Sequence, residues 1–254
     1  MGKKTDTQSW KERLRSVPKS FVAYKKDSVS AIDEMKKEHK LLAPLIFCVL
    51  LFLSCTFIIG AHYRGVDDFI AHSKSPLNDY GLLKYVSVFS IGATLLFGLV
   101  MIALMFIIYV FTRFVCVKLF SRGLKAKDVL LDGIIEFGMN SIPWTVFFLL
   151  GGVLSNLFWW SFFLIIAFFT LYFIIMLIRS IFDAVDRTKQ KSLMVFVMSV
   201  CIFISLLLIN AFMTAVLGYS LMTIAQGVQE NINHIWDNVK VWLDSFIKSL
   251  YFFK

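Results

Sequence analysis

Charge is scarce in this chain. Asp, Glu, Lys and Arg make up 17% of its 254 residues, against about a quarter in soluble proteins. None of them falls between residues 41 and 61, 85 and 112, or 137 and 178. Uncharged stretches of that length exclude an ordinary soluble domain, whose surface elements need a polar face. Catalytic signatures are missing too. There is no G-x-S-x-G, no H-E-x-x-H and no phosphate-cradling glycine loop. The few cysteines, Cys48, Cys55, Cys116 and Cys201, lie in or beside apolar runs without zinc-type spacing. They read as small packing residues rather than disulfide or metal ligands. An enzyme, a cofactor and a metal centre are therefore not expected. Nucleic acid is not expected either. The net charge is +9, but the cations flank the apolar runs and no nucleic-acid-reading motif is present. The partner they imply is the lipid bilayer, at its anionic inner face.

What the chain has is apolar length. Hydrophobic residues make up 58% of it, 27 of them Phe, and the mean hydropathy is +0.75. Residues 41–61 form a first span, since ~20 apolar residues cover the ~30 Å hydrocarbon core. A second span lies within residues 85–112, after a polar loop with the turn-prone stretch 73–79. Residues 137–178 are too long for one crossing, because 42 residues of helix would measure ~63 Å. They divide into a third span at 137–153 and a fourth at 158–178. The turn is expected near residues 151–156, with Gly151 and Gly152 as turn glycines and Trp159 and Trp160 at the interface. A fifth span runs over residues 193–219. The expected fold is an all-α integral membrane protein with five transmembrane helices and amphipathic N- and C-terminal segments.

Three regions follow: a basic segment at 1–40, a five-span domain at 41–220 and an amphipathic helix at 221–254. In the first, Trp10, Leu14, Val17, Phe21 and Tyr24 recur at helical spacing around Pro18. They describe either a helix on the lipid headgroups or a solvated tail. No cleavable signal peptide is apparent ahead of residue 41, so the first span is expected to act as its own insertion signal. In the last region, Ile235, Trp236, Val239, Trp242, Leu243 and Phe246 share one stripe, with Asp237, Lys240 and Asp244 opposite. Such a helix needs a membrane or a partner against its apolar side. With five spans, 20 of the Lys and Arg residues fall on the N-terminal side of the membrane and 6 on the other. The positive-inside rule then puts the N-terminus in the cytoplasm and the C-terminus on the extracytoplasmic side of a cell membrane.

No ionisable residue is expected deep in a span, which disfavours ion-coupled transport. The candidate packing or cavity residues are small and polar. Ser90, Thr94 and Gly98 recur every fourth residue on the second span, and Asn210, Thr214 and Gly218 on the fifth. Such stripes let helix backbones approach, so they read as packing within the chain or as a cavity or oligomer seam. Asn140 and Pro143 open the third span. In the first loop His62, Asp67, Asp68 and His72 have ligand chemistry but no ligand spacing.

The step Asn140-Ser141-Ile142-Pro143, the stretch Gly123-Leu124-Lys125-Ala126-Lys127-Asp128-Val129-Leu130 before it, and the five-span count resemble the bacterial branch of the Yip family. The resemblance covers about residues 40–220. It implies a five-span protein that acts by interaction rather than catalysis; the external C-terminal helix departs from the family pattern. Three functions are compatible with these readings. The first is a scaffold or interaction partner in a membrane complex, with a protein partner or as a homo-oligomer. The second is an immunity or envelope-defence protein against a membrane-active toxin or peptide. The third is a transporter or channel subunit, which needs Ser87, Ser90, Thr94, Asn140, Asn210 and Thr214 to line one path.

Overall fold

A computed structural model describes residues 6–38, 41–72, 87–120, 124–184 and 191–251. Every regular element among them is α-helix: α1 (Asp6–Lys26), α2 (Ser28–Lys37), α3 (Leu42–His72), α4 (Ile91–Phe120), α5 (Ala126–Leu157), α6 (Ser161–Ala184) and α7 (Lys191–Tyr251). Five of them, α3 to α7, are long and apolar enough to cross a membrane. The chain is a multi-pass helical membrane protein. The turn-prone stretch 73–79 lies outside the described residues.

The helices overrun the uncharged stretches that defined the spans. α3 continues through His72, α4 through Phe120, and α5 begins at Ala126. Residues 126–136 are thus the first turns of α5, continuous with the third span. The hairpin turn is also displaced. α5 runs to Leu157, and the chain turns at Phe158, whose carbonyl accepts from Ser161 N at 2.8 Å. Gly151 and Gly152 lie inside α5, not in the turn. A Cβ on Gly152 would stand 2.5 Å from the Phe57 ring, and one on Gly151 2.8 Å from Ile165 Cγ2. They are glycine because neighbouring helices press on them.

The centre of the bundle is the pair α3 and α5, which run side by side in the same direction. Gly138 lies against Pro44, Gly152 against Ile58, and Gly65 against Ser155 and Trp159. The spacing from Gly138 to Gly152 equals that from Pro44 to Ile58, so the two helices stay in register over four turns. Lipid is as apolar as the side chains it touches, so burial alone gains little between spans; close packing is what holds them. Around this pair, Trp144 is fully buried among Tyr109, Phe137, Phe169 and Phe173, with ring centroids 5.3–6.0 Å away.

The described part of the N-terminal segment is helical, and its second helix packs on the spans. α1 passes through Pro18 without a break, and Asp27 separates it from α2. Asp27 caps α2 by accepting from Val29 N at 3.1 Å and Ser30 N at 3.2 Å. Ala31, Ile32 and Met35 of α2 then bury against Ala43 and Phe47 of α3 and Ile135 and Met139 of α5. Val17 and Tyr24 join the edge of this cluster, while Phe21 stays exposed. The side chains of Trp10 and Leu14 lie outside the described residues.

Candidate functional site

Two places in the molecule hold chemistry that the packing of spans alone does not need. One is a charged cavity under α2. The other is the exposed side of α7.

The cavity, about 490 Å³, opens where α2 meets the C-terminal ends of α4 and α6 and the first half of α5. Its lining includes Asp33, Lys36, Arg113, Asp132, Glu136 and Arg179. Arg113 and Glu136 are buried, at 3% and 8% exposure. Glu136 Oε2 lies 2.9 Å from Arg113 Nε and 3.3 Å from Lys36 Nζ. Arg113 Nε donates to Ser180 Oγ at 3.1 Å and a terminal nitrogen donates to the Val129 carbonyl at 3.2 Å. The carboxylate is therefore held between two cations by charge more than by a directed bond. On the rim, Arg179 lies 3.8 Å from Asp183. Above the cluster, Asn140 donates to Tyr109 Oη at 3.0 Å and accepts from Tyr24 Oη at 3.3 Å. Burial, reinforced by Tyr172, pushes the Tyr24 hydroxyl up to about 12 against a partial offset from Arg179. The bases and hydroxyls of this cluster are engaged with one another; together they clamp α1 and α2 to three spans. Arg113 and Glu136, which flank the uncharged stretches in sequence, lie within α4 and α5 and are enclosed by the bundle.

Of the sequence candidates, Asn140 belongs to this cluster and Pro143 is half-buried one turn further along α5. Ser90, Thr94 and Gly98 go elsewhere. Ser90 is the N-cap of α4, its hydroxyl accepting from Ala93 N at 3.4 Å. Thr94 packs on Gly60, and a Cβ on Gly98 would meet Thr56 Oγ1 at 2.5 Å. This stripe is a seam between α3 and α4 within the chain. The first-loop residues do not converge. His62 is buried, donates through Nδ1 to the Trp159 carbonyl at 3.0 Å and stacks on Phe162 at 4.4 Å. Asp67 accepts from the Ser87 hydroxyl at 2.9 Å and from Phe89 N at 3.1 Å, tying the start of α4 to α3. His72 Nδ1 donates to the Asp68 carbonyl at 2.9 Å. Among the described residues no three of His, Cys, Asp and Glu come together as metal ligands do. Of the six polar residues of a transport path, Asn140 lines the charged cavity and Thr94 a separate one of about 360 Å³ beside Arg64.

α7 differs most from expectation. The fifth span and the C-terminal amphipathic helix are one unbroken helix of 61 residues. Phe212, Val216 and Ser220 are buried against the bundle, whereas Asn210, Thr214 and Gly218 are exposed. Packing inside the chain, the simpler reading of that stripe, is overturned: a Cβ on Gly218 would meet nothing within 4 Å. Further along, Ile235, Trp236, Val239, Trp242 and Leu243 are exposed, Trp236 at 61% and Trp242 at 64%. The Phe246 side chain lies outside the described residues.

No protein-family model, no curated protein and no solved structure matches the chain. The function has to be read from these two places.

Proposed function

We propose that this chain is a non-enzymatic membrane protein that works by interaction, a five-span anchor presenting the outer part of α7 to a protein partner. The observation that carries this is the continuity of α7. A helix of 61 residues measures ~92 Å, about three times the hydrocarbon core. A helix turns sharply only at a proline, a π-bulge or a similar interruption, and α7 is unbroken with no proline. Residues 220–251 therefore leave the bilayer along the axis of their own span rather than lying on its surface. Their apolar stripe is then out of reach of lipid, and an apolar face standing in water marks a protein contact.

The distribution of Lys and Arg supports a cytoplasmic N-terminus, with the charged cavity on the inner side of a cell membrane and the arm outside. The Yip-like features of residues 40–220 support the same class, a helical anchor that acts through contacts. Fluorescence of Trp236 and Trp242 in full-length protein reconstituted with brominated lipids, the other tryptophans replaced by Phe, tests the reading. The two should keep their emission, because bromines in the bilayer do not reach them. Strong quenching would place the arm on the membrane and overturn it.

A further inference from the structure

We infer that the partner of the arm is a second copy of this chain, packed parallel through α7; this rests on reading residues 220–251 as an interaction arm. The argument starts from register. Val228, Ile232, Ile235, Val239, Trp242 and Phe246 alternate in steps of four and three residues, the a and d pattern of helices that wind around one another. Asn210, Thr214, Leu217 and Leu221 keep the same alternation within the span. Ala225 joins the two runs with one extra step of four, a stutter that coiled helices absorb by local unwinding. The seam is thus continuous from the lipid-embedded part of α7 to the arm.

Most of the seam is open to solvent or lipid. Leu217, Leu221, Ile232 and Ile235 are exposed, turned away from the buried Phe212 and Val216, while Val228 packs in part against the bundle. No charge lies on it. Glu230, Asp237, Lys240 and Asp244 all fall on the other side, so two identical seams meet without like-charge repulsion. Every copy enters the membrane with the same orientation, so two α7 helices run parallel and in register, each seam residue facing its own counterpart. Asn210 supplies the remaining argument. Its side chain is exposed in the apolar part of α7 and makes no hydrogen bond among the described residues. Against a second Asn210 the two amides bond across the interface, which in parallel helices fixes register.

Disulfide cross-linking of the full-length chain in native membranes tests this. Ile235→Cys, Val239→Cys and Trp242→Cys on the seam, and Asp237→Cys and Lys240→Cys on the opposite side, are each oxidised with copper phenanthroline. All five positions are solvent-exposed in the single chain, so folding is not at stake. The three seam variants should give a covalent dimer of the chain at least ten times more than the two outer ones. Equal cross-linking at all five positions would mean random collision and overturn the inference. Seam cysteines that link only to a protein of another mass would also overturn it while leaving the interaction arm intact. Seam cysteines that form no link and react freely with a water-soluble maleimide would remove both.

Discussion

Thr94 and Gly98 on α4 are covered by α3, so tightly that a Cβ on Gly98 would press on Thr56 Cα at 3.1 Å as well as on its hydroxyl. Asn210, Thr214 and Gly218 on α7 show the same four-residue spacing and are open, with nothing within 4 Å of where a Gly218 Cβ would stand. One stripe closes a seam inside the molecule, and the other is left uncovered by the chain. Spacing tells that a helix can be approached closely; it does not tell by what. The interior side of the molecule is finished, with glycines filled by backbone and charges enclosed with their counter-charges. α7 is finished on one side only.

Breaking the closed side should cost most. Arg113→Ala leaves Glu136 buried with only Lys36 beside it, and removing one partner of an enclosed pair destabilises by about 3–5 kcal/mol. Thermal unfolding in detergent should show it, and Glu136→Gln in the same background should recover part of the loss. Next comes Gly138→Ala. The new methyl would stand 2.5 Å from Pro44 Cβ and 2.7 Å from its Cα, and overpacking of this kind costs about 1–3 kcal/mol. Gly218→Ala sharpens the contrast by reversing the sign. It meets nothing in the single chain, so the stability of the bundle should stay level or rise by up to about 1 kcal/mol, the helix preference of Ala over Gly. A loss as large as that of Gly138→Ala would mean that the fifth-span stripe is covered within the chain after all.

The smallest effect expected is one of pH at the edge of the closed side. Burial raises the Tyr24 hydroxyl from its ordinary value near 10 to about 12. The folded state prefers the neutral phenol, so this contribution is complete below pH 10 and fades as the pH climbs towards 12. Limited proteolysis of α1 and α2 should accelerate across that window, and Tyr24→Phe should remove the step.

The spans were legible because uncharged length is a physical requirement of lipid, and the alternation of basic segments gave the same count independently. Their ends were less so. Arg113 and Glu136 look like ordinary flanking charges in the sequence, and nothing local says that two charges on different helices face each other inside the bundle. Ser90 was visible as a small polar residue, but capping rather than packing explains it. Gly151-Gly152 looked like a turn because glycine serves turns and close crossings equally, and only the neighbours Phe57 and Ile165 decide between them. The helical period of residues 232–250 was plain in the sequence. Its continuity with the fifth span was not, since a polar stretch such as residues 226–231 is as compatible with a loop as with the solvated turns of a long helix.

The clamp between α1 and α5 also has a consequence in time. Tyr24 and Asn140 are 116 residues apart in the chain, and the ribosome delivers them in that order. At about 5–20 residues per second, Tyr24 exists for roughly 6–23 s before Asn140 has been made, whereas Ala43 and Phe47, the α3 part of the surface that receives Ile32 and Met35, follow α2 almost at once.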